Sequence, residues 1–124
     1  TETARLSCSF NLMSIHERIE ELSQIGRNED GSIYRKAGTK EYYNAIKLVS
    51  DWMIADGMHT CVDEYNNLIG TIPGTDRDAK PIVVGSHIDT VPTGGKYDGT
   101  LGVLGGLETA KMLSGKLNHP IPSK

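Results

Sequence analysis

Three stretches of this chain carry apolar residues at helical spacing, and a shorter one alternates in the manner of a strand. In the first, Leu12, Ile15, Ile19 and Leu22 fall on one side, with Glu17, Arg18, Glu20 and Glu21 on the other. Asn11 suits the N-cap and Gly26 the C-terminal stop, which predicts a helix of about fifteen residues. A second helix is predicted from the cap Thr39 to Asp56, ended by Gly57. Its buried face is Tyr42, Ala45, Ile46, Val49 and Met53, with Trp52 at the flank as a core residue. The third runs over residues 100–113 with Leu101, Leu104, Leu107, Ala110 and Leu113 at helical spacing. Gly102, Gly105 and Gly106 each weaken it by up to ~1 kcal/mol relative to Ala, so their clustering predicts close packing on the sheet or the preceding loop.

Residues 58–62 alternate, and residues 68–72 form a second short run. The polar link of residues 63–67, with Asn66 and Asn67 suited to left-handed positions, predicts a β-hairpin. Residues 81–84 form an aliphatic run bounded by Pro and Gly, which reads as a buried strand. Between the first two helices, residues 27–40 turn polar and read as a long exposed connection. There, Arg35 and Lys36 are expected in solvent, with contact to an anionic substrate as the alternative. Residues 73–80 read as a polar turn, and residues 118–124, with two prolines, as a tail that is unstructured unless more chain follows. Together these elements give an α/β class, with helices packed on a small mixed sheet that includes a β-hairpin.

Composition narrows the function. With 124 residues, one domain is expected. The net charge of −3 offers no basic excess for nucleic acid, and no segment approaches the ~20 apolar residues needed to cross a bilayer. Cys8 and Cys61 stand far apart with no Cys-x-x-Cys pattern, which favours two free thiols in a reducing, cytoplasmic setting.

The chemistry concentrates after residue 84. Residues 85–106 supply His87, Asp89 two positions on, and Asp98 eleven positions after the His, across a loop rich in Gly, Thr and Pro. A neutral imidazole and hard carboxylate oxygens at a strand end suit a zinc-class ion. Asp89 is placed to accept the second ring N–H of His87, and Asp98 has two oxygens with which to bridge two cations. Other readings of the loop are weaker. Gly94-Gly95-Lys96 lacks the earlier Gly and the following Ser or Thr of a phosphate loop, and no Gly-x-Gly-x-x-Gly opens from a strand into a helix. A purely structural turn remains the bland alternative. His16 and His59 are expected in structural roles, since Glu20 stands where a His-Glu-x-x-His motif needs its second His.

The stretch Gly85-Ser-His-Ile-Asp-Thr-Val-Pro-Thr-Gly-Gly-Lys-Tyr-Asp-Gly99 resembles the first metal motif of the amidase/hydantoinase/carbamoylase branch of the co-catalytic zinc peptidase superfamily. That branch holds N-carbamoyl-L-amino-acid hydrolases, allantoate amidohydrolases and β-ureidopropionases. The likeness extends from about Tyr42 to Ile121, with Asn66-Asn67-Leu68 where the family usually has Gly-Asn-Leu. The eleven-residue step and Tyr97-Asp98-Gly99 separate it from the related dipeptidases and acyl-amino-acid deacylases.

The resemblance implies His87 as ligand to one metal, Asp98 as bridging ligand, and Asp89 as the residue orienting His87. It also implies a cis peptide after Asp98. The cofactor implied is a pair of divalent ions, zinc or in its place manganese, cobalt or nickel. The reaction implied is attack of metal-bound hydroxide on a ureido or amide carbonyl of a small molecule. The general base, part of a Glu-Glu pair, and two further His ligands follow residue 124 in the family, as does a lid domain that makes dimer contacts. Residues 1–124 are therefore expected to be an incomplete N-terminal portion of a three-layer catalytic domain. Alone they are expected to bind metal weakly, to lack activity and to self-associate, while the intact enzyme forms a homodimer. The rival readings are a non-catalytic α/β association module and a dipeptidase of the same superfamily.

Overall fold

The computed structural model describes residues 13–117, with side chains through residue 114. Asn11, Leu12, Cys8, His119 and the proline-bearing tail lie outside the described residues. Helix α1 spans Ile15–Leu22, α2 Lys40–Ala55 and α3 Thr100–Leu117; strands β1, His59–Val62, and β2, Leu68–Thr71, form one antiparallel hairpin.

α1 starts at Ser14. The Ser14 side chain accepts from the Glu17 N–H, and the Glu17 carboxylate accepts from the Ser14 N–H, a reciprocal capping box. The helix stops at Ser23, earlier than Gly26. Gly26 instead turns the chain at φ +80°, where a Cβ would meet the Tyr34 carbonyl oxygen at 2.5 Å. α2 begins at its predicted cap Thr39, whose hydroxyl accepts from the Tyr42 N–H, and Gly57 follows at φ +89°. Tyr42, Ala45, Ile46, Val49, Trp52 and Met53 are buried along it, as the periodicity predicts.

Arg18 corrects its sequence assignment to the polar side of α1. It is buried, and its guanidinium donates to both Asp56 oxygens at 2.7 and 2.9 Å. It also lies over the Trp52 ring, 5.4 Å from the centroid. A desolvated Arg is tolerable here because a carboxylate matches its fork bidentately. Lys111 Nζ stands 4.0 Å from the same Asp56 carboxylate, so one acidic group at the end of α2 ties all three helices.

The hairpin pairs His59 with Thr71 and Val62 with Leu68. Asn66 takes the left-handed turn at φ +66°, and the Asp63 carboxylate accepts from the Tyr65 and Asn67 N–H groups. His59 sits in β1 with its side chain exposed, as does His16 on α1, and Cys61 is a free, exposed thiol. Gly70 leaves room for the sulfurs of Met53 and Met58, which a Cβ would meet at 2.8 and 3.1 Å.

Residues 81–84 depart from the sequence expectation. They form no strand among the described residues, and Ile82, Val83 and Val84 are 71%, 84% and 71% exposed. No described strand pairs with them, so the backbone ladder that would bury both faces is missing. The mixed sheet is accordingly reduced here to the antiparallel hairpin. α3 buries Leu104 and Leu107, whereas Leu101 and Leu113 are exposed. Close packing at its glycines is seen at Gly102, where a Cβ would meet the Ser86 side chain at 2.8 Å, and at Gly106 against Val84 at 3.2 Å. Gly105 faces open space.

Candidate metal centre

His87, Asp89 and Asp98 come together at the head of α3. The His87 Nδ1–H donates to the main-chain carbonyl of Asp89 at 2.9 Å, which leaves Nε2 as the ring nitrogen turned away from that bond. Nε2 points to Asp98, 3.7 Å from Oδ1. The Asp89 carboxylate stands 3.6 Å from Nδ1, so the carbonyl of Asp89, rather than its carboxylate, takes the ring proton. All three side chains are about half exposed, at 49%, 50% and 65%, and open to solvent. A cleft of about 130 Å³ beside them is lined by Tyr42, Ile46, Leu68, Ser86, His87 and Asp89. Burial, with the negative charge of Asp89 adding to it, raises the Tyr42 phenol, which donates to the Asn66 carbonyl at 2.9 Å.

Gly99 closes this arrangement. It turns at φ +77°, and a Cβ would come within 2.5 Å of His87 Cε1 and 2.6 Å of Nδ1. The chain reverses through this left-handed glycine with every described peptide bond trans, which corrects the expectation of a cis bond after Asp98. α3 begins directly after it, and the Thr100 hydroxyl donates to the Lys96 carbonyl.

Sequence reasoning missed the element that braces the loop. Residues 27–36, read as an exposed connection, lie against residues 88–94. Ile33 and Gly94 exchange backbone hydrogen bonds at 2.9 Å each, and the Thr90 N–H donates to the Arg35 carbonyl at 2.9 Å. The Arg35 N–H donates to the Thr90 hydroxyl at 2.8 Å, and the Asn28 amide to the Pro92 carbonyl at 3.1 Å. Ile33 is 1% exposed.

Arg35, expected in solvent, is fully buried. Its Nε donates to the Ile88 carbonyl at 2.9 Å and Nη1 to the Leu22 and Ile25 carbonyls at 3.1 and 3.0 Å. Burial lowers its pKa, and the charge of Asp89 raises it. Lys36 is exposed, in a separate open groove with Arg27. A second tie runs from Lys96 to the Glu20 carboxylate on α1, which Lys96 holds below the ordinary glutamate range.

Among the described residues no group of three or more His, Cys, Asp or Glu side chains is poised around one ion. The pair His87 and Asp98 still fits a shared ion. Bonds of about 2.0–2.2 Å to zinc leave two ligand atoms within about 4 Å of each other, a limit that 3.7 Å meets.

The chain is similar to known proteins in both sequence and fold. The profile of Peptidase family M28 matches residues 67–122. The chain is 42% identical over 109 residues to the N-carbamoyl-L-amino-acid amidohydrolase of Pseudomonas sp. (strain NS671), a match covering 88% of this chain and 26% of that protein. It is 41% identical over 107 residues to the allantoate amidohydrolase of Bacillus subtilis (strain 168), covering 86% and 26%. Its fold superposes on a hydantoinase/carbamoylase family amidase from Burkholderia ambifaria with a TM-score of 0.82 and 31% identity, covering 88% of this chain and 27% of that one. In both sequence and fold the chain is similar to these amidohydrolases and to the hydantoinase/carbamoylase family amidase. It spans about a quarter of the length of the curated relatives it matches.

Proposed function

We propose that these residues are the first part of a three-layer metal-dependent amidohydrolase domain, and that the intact protein hydrolyses a linear ureido or amide C–N bond. The 3.7 Å approach of His87 Nε2 to Asp98 Oδ1, on a loop like that of the carbamoylases, carries this reading. Divalent ions at this site, zinc or in its place manganese, cobalt or nickel, would polarise the substrate carbonyl and ready a water for attack near neutral pH.

The chain's own residues prepare that site. Donation of the His87 Nδ1 proton to Asp89 keeps Nε2 as the ligating atom. Asp98 has a second oxygen with which to bridge a second ion. Asp89 is the orienting residue, through its carbonyl first and its carboxylate behind it. The general base and the remaining ligands belong to other residues of the intact protein, as do a lid domain and homodimer contacts. In the overall reaction water adds to the carbonyl carbon, the C–N bond breaks, and the amine leaves with a proton. From an N-carbamoyl amino acid the products are the amino acid, carbon dioxide and ammonia.

The test is turnover by the full-length protein of N-carbamoyl amino acids, allantoate and dipeptides, before and after chelation. Release of ammonia that chelation stops and zinc restores is expected, with His87→Ala and Asp98→Asn each losing at least a hundredfold. Dipeptide cleavage in its place would move the protein to the peptidases. Metal-independent turnover would refute the reading. The exposure of Ile82, Val83 and Val84 favours a second role for residues 1–124 taken alone, association with another copy through an unpaired extended segment.

A further inference from the structure

The brace behind the metal loop centres on one side chain. Arg35 comes from a segment more than fifty residues before the loop, yet it is fully buried and spends its donors on main-chain oxygens. Two of those oxygens, from Leu22 and Ile25, lie at and just beyond the end of α1. The third belongs to Ile88, the residue between His87 and Asp89. The Arg35 main chain holds Thr90 on both sides, N–H to hydroxyl and carbonyl to N–H. Nη2 is buried with no hydrogen-bond partner, a cost the fold retains. Arg18 is equally buried and also leaves one nitrogen, Nε, unpartnered, but its fork is matched to Asp56 and makes no hydrogen bond to the loop. Thus of the two buried arginines among the described residues one serves helix packing, and the other reaches into the peptide that joins the candidate ligand to its orienting residue.

We infer that Arg35 is a positioning residue for the metal centre: by fixing the Ile88 carbonyl it sets where His87 and Asp89 stand relative to Asp98. The inference deepens the metal reading and rests on it. A planar guanidinium suits the task because its donors diverge toward carbonyls from two segments at once, whereas an ammonium is a single point. The orientation of His87 Nε2 is then determined from the far side of the loop, by residues that touch neither metal nor substrate.

The experiment compares Arg35→Met, Arg35→Lys and Arg18→Met in the full chain by NMR, first metal-free and then with cobalt chloride. In the metal-free chain Arg35→Met is expected to shift the His87, Asp89 and Thr90 signals and to speed exchange of the Thr90 N–H at least tenfold. Arg18→Met should leave those signals at their wild-type positions. With cobalt, the concentration that half-broadens the His87 signals should rise at least tenfold in Arg35→Met and less than twofold in Arg18→Met. Arg35→Lys, keeping charge without the fork, should fall between wild type and Arg35→Met. Unmoved loop signals in Arg35→Met, or equal movement in Arg18→Met, overturn the inference. If Arg35→Met fails to fold, Arg35→Lys decides alone, and wild-type loop signals in it overturn the inference. Absence of cobalt broadening at His87 in the wild type would instead refute the metal reading, while the metal-free comparison still decides the part played by Arg35.

Discussion

Replacing Gly99 by Ala strikes the loop at its tightest point. The residue turns at φ +77°, a conformation that costs an L-residue with a Cβ about 1–2 kcal/mol. The added methyl would collide with the His87 carbonyl and come within 2.5 Å of its ring. Forcing an atom into so closed a space adds about 1–3 kcal/mol, so the whole change is roughly 2–5 kcal/mol. At about 4–8 °C per kcal/mol for a small domain, the melting midpoint should fall by at least 8 °C. Where the ring swings aside to relieve the clash, the loss in stability is smaller, but Nε2 leaves Asp98 and cobalt affinity falls instead. Gly105→Ala is the matched control. Its Cβ meets nothing within 4 Å, and in a helix the exchange should stabilise by up to ~1 kcal/mol. Thermal melts and cobalt titrations of both variants give the answer. A Gly99→Ala chain with wild-type melting and wild-type cobalt affinity would refute the packing of Gly99 against His87.

Arg18→Met should destabilise the chain by about 3–5 kcal/mol in urea denaturation, because it leaves the Asp56 carboxylate buried and short of its partner; a loss under ~1 kcal/mol would contradict the burial of that pair. Ser14→Ala removes one arm of the capping box and should cost about 1 kcal/mol, read the same way, with no change in cobalt binding. Hydrogen bonds from Asn67 and Tyr65 hold the Asp63 carboxylate below the ordinary aspartate range. Its contribution to stability is thus present above the unfolded value near ~3.9 and lost as pH falls through the lower folded value. Asp63→Asn should flatten that acid limb of a stability-versus-pH curve, and an unchanged limb would count against the turn geometry. Val83→Lys, at an 84% exposed position, should weaken any self-association seen by sedimentation without lowering the melting midpoint.

Local pattern carried much of the fold into view. The 3.6-residue period and the Thr39 cap marked α2 almost to the residue, and the Asn-rich link marked the hairpin. The box Ser14-x-x-Glu17 was equally visible in the sequence, but the apolar Leu12 drew the helix start too early. What a residue does far from its neighbours in sequence was hidden. Arg18 and Arg35 read as surface charges because their partners lie 38 positions away at Asp56 and 53 positions away at Ile88. Residues 81–84 have the composition of a buried strand, and burial depends on partner strands that the local sequence cannot supply. For the site, spacing pointed to His87 and Asp98, whose proximity emerges only once Gly99 folds the turn back. The choice of the Asp89 carbonyl over its carboxylate follows from backbone direction, which no motif encodes.

Cobalt titration of the full-length protein, read by NMR at His87 and by d–d absorption, tests the metal centre most directly. Binding that broadens His87 and the Asp98 amide together, and that falls at least tenfold in both His87→Ala and Asp98→Asn, is the expected result. Cobalt that binds elsewhere, with both variants at wild-type affinity, would contradict the assignment of this pair as metal ligands.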